Sequence, residues 1–182
     1  GDLLVPFNNS NNLSGNFADH LPLVRKKITC GTISKSTILN QNISVNGSCF
    51  HITADNINLD FAGYTLTGNS SGIGVNISNK TGVTITNSFI NNFSTGIYVD
   101  PSSSITILLT NISSTNKAVH FKYVNNSKIL NSSFTNNSYG VYVDNSHHNI
   151  LTHNLIYDNY QGIHLTVSAN NSIYNNNFSN VN

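Results

Sequence analysis

Gly74, Gly96, Ala118, Gly140 and Gly162 stand 22 residues apart, and each opens a five-residue phrase of one pattern. The phrases read GVNIS, GIYVD, AVHFK, GVYVD and GIHLT. A fixed period in the twenties means a small unit that cannot bury its apolar face alone and must stack on copies of itself. Inside the phrase the apolar residues lie two apart: Ile97 and Val99, Val119 and Phe121, Val141 and Val143, Ile163 and Leu165. That alternation predicts a β-strand with one buried face. A second apolar column, Ile85, Ile107, Ile129, Leu151 and Ile173, keeps the same step, and so does a third, Ile90, Ile112, Phe134, Ile156 and Phe178.

A helical repeat would need 3.6-residue periodicity and strong helix formers. The chain has no Met and no Glu, and Asn, Ser, Thr and Gly dominate it, residues that favour turns and caps. Each unit is therefore two or three short strands joined by polar corners, and the expected fold is an all-β, single-domain parallel β-helix. Residues 30–182 form it, and residues 1–29 form an N-terminal arm or cap. One column is polar where its neighbours are apolar: Asn87, Leu109, Asn131, His153 and Asn175 follow the second apolar column by two residues. Alternation places it inward, so Asn87, Asn131 and Asn175 are expected as a buried asparagine ladder, bonding coil to coil at about 4.8 Å. Asp100, Lys122 and Asp144 share another column and alternate in charge, which would disfavour a slipped register.

The "N-x-I-x-N" and "G-I-x-V" phrasing resembles the short repeats of right-handed parallel β-helix proteins, the pectin-lyase-like group, and most closely their NosD-like, carbohydrate-associated branch. The stretch 30–68 is similar to the opening segment of that branch, with Asp55, Asn56, Leu59, Asp60, Gly63, Thr65 and Gly68 on its motif. The resemblance implies a right-handed solenoid and says little about activity, since one such fold hosts many functions. NosD relatives are tied to copper-enzyme maturation, yet no Met or His cluster in this chain carries that property over, and no cofactor is expected.

Composition narrows the remaining classes. Charged residues make up 8% of 182 and the net charge is +1, which argues against a nucleic-acid partner, since that would require clustered Lys and Arg. No run of 18 apolar residues predicts a membrane span. The chain starts at Gly1 rather than Met, which reads as a removed signal peptide. Its 34 Asn include 14 in N-x-Ser/Thr sequons, about twice what random pairing gives. Part of that excess follows from a repeat rich in Asn and Ser; the rest suggests covalent N-glycans on a secreted or cell-surface protein, with Asn46, Asn69, Asn76, Asn79, Asn111, Asn125 and Asn170 as candidates. Cys30 and Cys49 are the two cysteines, close to one coil apart, and are expected either as a disulfide anchoring the first coil or as two buried thiols.

No catalytic site is predicted. The seven acids, Asp2, Asp19, Asp55, Asp60, Asp100, Asp144 and Asp158, include no adjacent pair, and Lys122 between Asp100 and Asp144 would hold both ionised. No metal site is predicted either: His147 and His148 fall in a turn, and His153 is expected to point inward. Tyr98, His120, Tyr142 and His164, preceded by Asn76, form an outward row at one-coil spacing. It reads as exposed β-formers in preference to a sugar-stacking surface. The favoured function is a non-catalytic structural protein, with a carbohydrate-binding module or degenerate polysaccharide lyase or hydrolase as the alternative. Counting by 22 from Asn182 into Gly1 puts Leu3, Val5 and Leu13 on the existing apolar columns, so head-to-tail pairing with a second copy, and an open filament, is the expected assembly.

Overall fold

The computed structural model describes residues 26–180, in which every regular element is a β-strand. The strands form three parallel sheets and wind into a solenoid of seven coils. One coil shows the plan. Thr95–Ser103 lies in the first and broadest sheet, Thr106–Leu108 in the second and Asn111–Ser113 in the third. The three columns legible in the sequence are the register itself. Ile97 pairs with Val119, Ile107 with Ile129, and Ile112 with Phe134. Their side chains meet inside as one continuous apolar core, in which Phe93, Phe121 and Phe134 are fully buried. From Ile73 onward the step stays at 22. Before it the step varies: Gly31 pairs with Phe50, Leu59 with Ile85, and Leu66 with Ile90.

The corners are made by residues in the left-handed region. Asn126, Asn131 and Asn136, five residues apart, have φ of 52°, 49° and 54°. Of the 21 non-glycine residues with positive φ among the described residues, 11 are Asn, whose short amide tolerates this conformation better than other side chains. Corner geometry thus accounts for much of the asparagine content.

A corner residue also resets the alternation of faces, and this corrects the expected ladder. Asn131 and Asn175 are exposed and Asn87 is half-buried at the surface, its Nδ2 donating to Asp60 Oδ1 at 3.0 Å. Leu109 and His153, in the same column, are exposed too. The left-handed turn takes up one position, so the inward residue is the next one. The ladder there is Ser88, Thr110, Ser132, Asn154 and Asn176. Equivalent ladders line the other corners. In one, Thr115 N–H donates to Asn137 Oδ1 at 2.9 Å, and Asn137 N–H to Asn159 Oδ1 at 3.0 Å. In another, Ser127 N–H donates to Asn149 Oδ1 and Asn149 N–H to Asn171 Oδ1. A fourth runs through Val124, Ser146 and Ser168. Each ladder Asn uses both ends of its amide, as Asn137 Nδ2 also donates to Ile112 C=O. The buried backbone donors at these turns are thereby satisfied, which is what permits tight corners inside a core.

The small residue of the recurring phrase follows from close approach. A Cβ on Gly96 would lie 2.7 Å from both the Ala118 carbonyl oxygen and Ile112 Cγ2. The first coil is closed by the Cys30–Cys49 disulfide, with Gly31 N–H donating to Cys49 C=O at 3.0 Å. In the opening segment, Asp60 accepts from Ala62 N–H at 2.8 Å and so shapes the turn that Gly63 completes at φ 80°. Leu3, Val5 and Leu13 lie outside the described residues.

Candidate functional site

A packed solenoid offers chemistry only on its outer faces. On the first sheet, Tyr98, His120, Tyr142 and His164 align as the register requires. The row is half-buried, because the rings pack on one another. Tyr98 to His120 and His120 to Tyr142 are edge contacts at 5.0 Å, and Tyr142 lies parallel to His164 at 4.8 Å. Tyr139 packs edge-on against Tyr142, and Lys117 Nζ sits 4.7 Å from the Tyr142 ring centre. Ring surface that would stack on a sugar is thus largely spent within the row. Burial, then the hydrogen bond to Asp100, pushes the Tyr98 hydroxyl up to about 12. Burial, then neighbouring Lys117, lowers His120 to about 4. His120 Nε2 and Asn76 Oδ1 are buried without a hydrogen-bond partner.

The charge column is in register, with Lys122 opposite Asp144. Its carboxylates nevertheless turn to nearer partners. Asp100 accepts from the Tyr98 hydroxyl at 2.9 Å, and Asp144 from Asn145 Nδ2 at 2.7 Å. Lys122 Nζ instead lies 5.5 Å from the Tyr123 ring centre. The other described carboxylates are also engaged: Asp55 by Thr81 N–H, Asp60 by Ala62 N–H and Asn87, Asp158 by Asn180 Nδ2. His153, expected inward, is exposed at a left-handed corner with φ 56°.

The third sheet carries two adjoining hollows. One, of about 300 Å³, has a floor of small polar side chains, Asn111, Ser113, Ser133 and Thr135, between Phe89 and Tyr157. The other, of about 400 Å³, lies at the neighbouring corner, bounded by Phe89, Leu109, Asn87, Asn111 and Asn131. Phe89 and Asn111 belong to both. Thr135 Oγ1 is buried and has no partner. Phe89 and Leu109 are exposed by 44% and 51%. The sequence signal for Phe89 was a large apolar residue beside the inward Ile90, whereas Leu109 becomes visible as outward only once the corner shift is known.

Among the sequon asparagines, Asn46, Asn69, Asn79 and Asn170 are exposed, and Asn111 and Asn125 are half-buried. Asn131 also lies at the surface, where its sequon is accessible.

The family described as "Periplasmic copper-binding protein (NosD)" matches residues 9–182. The chain belongs to the NosD family. No curated protein matches it. Two solved structures are similar to it. The tailspike protein 2 enzymatically active domain of bacteriophage CBA120 is 13% identical with a TM-score of 0.47, over 82% of this chain and 37% of that one. The full-length tailspike protein 2 from an Escherichia coli O157:H7 bacteriophage is 14% identical with a TM-score of 0.46, over 81% and 30%. This NosD-family chain thus spans about a third of the tailspike chains, and similarity at that level assigns no chemistry to its residues.

Copper is in the family's description, and the described side chains do not fit it. Among the described residues no three His, Cys, Asp or Glu side chains gather, and both cysteines are in the disulfide. Two histidine nitrogens are engaged within the fold: His147 Nδ1 accepts from Ala169 N–H, and His164 Nδ1 bonds Gln161 Oε1.

Proposed function

We propose that this protein is a non-catalytic β-helix scaffold of an oxidising, extracytoplasmic setting, displayed at a cell surface or secreted and carrying N-glycans. The observation that carries the reading is the fate of its carboxylates. Each of the five that the structure describes accepts a hydrogen bond from a neighbour within the fold. A general acid or a glycosidase pair needs carboxyl groups free to face a substrate, at a spacing set by the reaction. The disulfide supports the compartment, since such bonds persist where thiols are not kept reduced. Accessible sequons support the glycans.

Assembly belongs to the same reading. In the last described coil Ile173 and Phe178 are 38% and 43% exposed, whereas Leu151 and Ile156 one coil earlier are fully buried. An apolar surface of this kind would accept a further coil in register, and we propose that a second copy can supply it through Leu3, Val5 and Leu13.

The test takes the native material. Intact mass should exceed the 19.8 kDa of the bare chain, and enzymatic deglycosylation should restore it. Incubation with a polysaccharide panel should release no new reducing ends. Sedimentation at rising concentration should show head-to-tail species that deletion of residues 1–10 removes. A bare mass removes the glycans from the proposal, turnover removes the scaffold, and a monomer at all concentrations removes the assembly.

A further inference from the structure

We propose that the two hollows on the third sheet form one trough that binds a neutral saccharide. This goes beyond a scaffold role and does not depend on it. The two hollows meet at Phe89 and Asn111, so a ligand in one can extend into the other. Their sizes suit a small-molecule ligand or a short stretch of a chain.

The chemistry of the lining selects the occupant. No Asp, Lys, Arg or His lines either hollow. A phosphate, uronate or nucleic acid would find no cation to neutralise it. A peptide strand would need a free sheet edge, and the floor strands Asn111–Ser113 and Ser133–Thr135 are each paired on both sides. What remains is an apolar platform beside a dense set of uncharged hydrogen-bonding groups. A sugar ring has that mixed character, with C–H faces and hydroxyls around its rim.

Two residues of the platform are unexplained by the fold. Leu109 stands at φ 50°, in a column otherwise occupied by Asn and His, and leaves about half of its apolar side chain exposed. A left-handed Leu is disfavoured by its Cβ, and an Asn there would serve the corner better. Phe89 projects from a strand whose equivalents in the next two coils are Asn111 and Ser133. Both make sense as the surface a ring lies on, with Asn111 and Ser133 amide and hydroxyl groups reaching its hydroxyls. Thr135 Oγ1, buried and unpartnered, supplies a further hydrogen-bonding group on the same floor.

An N-glycan on Asn111 would lie on this floor, so the experiment uses the full chain made without N-glycans. It is applied to an array of neutral oligosaccharides, glucans, mannans, xylans, galactans and N-acetylglucosamine oligomers, together with oligogalacturonates. Hits are measured by calorimetry. At least one neutral series should bind and oligogalacturonates should not. Phe89→Ala should weaken binding at least tenfold, and Ser133→Trp, which fills the floor from an outward position, should abolish it. Tyr123→Ala, an exposed aromatic that lines neither hollow, should leave it unchanged. Far-ultraviolet dichroism and a cooperative melt establish that each variant is folded. Silence across the neutral array overturns the proposal, as does tighter binding of oligogalacturonates, or binding that survives both Phe89→Ala and Ser133→Trp. None of these results bears on the scaffold reading.

Discussion

Asn137 and Asn131 look interchangeable in the sequence, and the structure gives them opposite duties. Asn137 is buried in a ladder, its Oδ1 taking the Thr115 N–H and hydroxyl and its Nδ2 donating to Ile112 C=O. Asn131 merely turns the corner at the surface. Asn137→Ala should therefore destabilise the protein by about 1–3 kcal/mol, because a buried backbone donor is left without a partner. Asn131→Gly keeps the left-handed conformation open and should be close to neutral. Urea denaturation of both variants checks the ranking; equal losses would show that the ladder is wrongly placed. At this scale the sequence was legible in part. Polar corner columns could be recognised, but strict alternation put the inward position on Asn87, Asn131 and Asn175, one residue early. Period-two reasoning assumes extended backbone throughout and has no means of registering a single left-handed residue. The doublets Asn126-Ser127, Asn131-Ser132 and Asn136-Asn137, five residues apart, carry the missing signal: a turn former followed by an inward hydrogen-bonding side chain.

The strands of the first sheet were more readable, because their inward side chains are apolar and repeat without insertion from Val75 to Ile163. Their outward face was not. Row membership followed from the register, whereas the way rings close on one another depends on side-chain rotamers. That packing has a consequence in pH. His120 is held near 4 by burial first and by Lys117 second; Lys122 acts in the same sense, and Asp144 and Asp100 oppose it. In the unfolded chain this imidazole takes a proton near 6.5. The unfolded state thus binds more protons between those values, and stability rises with pH across that window. The contribution of His120 is fully present above about 6.5 and is lost as pH falls towards 4. Thermal melts of the protein and of His120→Gln from pH 7.5 to 4 test it. The variant should lose less stability on acidification, and parallel curves would mean that the row does not exclude the charged imidazole.

As a whole molecule the solenoid is nearly one-dimensional, each coil touching only its neighbours, so stability is local along its axis. Cys30 and Cys49 clamp one end across a 19-residue separation. Removing the bond with Cys30→Ser and Cys49→Ser should cost about 3 kcal/mol on chain-entropy grounds. The loss should concentrate at that end. Amide exchange should accelerate in Gly31–Ile33 and Thr37–Ile38 and stay unchanged beyond Ile73; uniform acceleration would point to a single cooperative unit instead. The seven-coil architecture was largely legible from the 22-residue step, but the uneven early coils were not, because insertions there leave no constant period to count. The internal ladders also give the molecule a direction. In the backbone-donated rungs of these ladders the N–H belongs to the earlier coil and the accepting side chain to the later one, as in Thr110 to Ser132 and Ser132 to Asn154. At these positions the buried backbone donor of a coil is satisfied by a side chain of its successor. During synthesis, each newly emerging turn would quench the buried donors of the turn before it, so the chain is built to fold in the order in which a ribosome delivers it. Removing later coils strands ladder N–H groups such as that of Thr115, whereas removing earlier ones strands donors of another kind, the ladder amides, as when Asn137 Nδ2 loses Ile112 C=O.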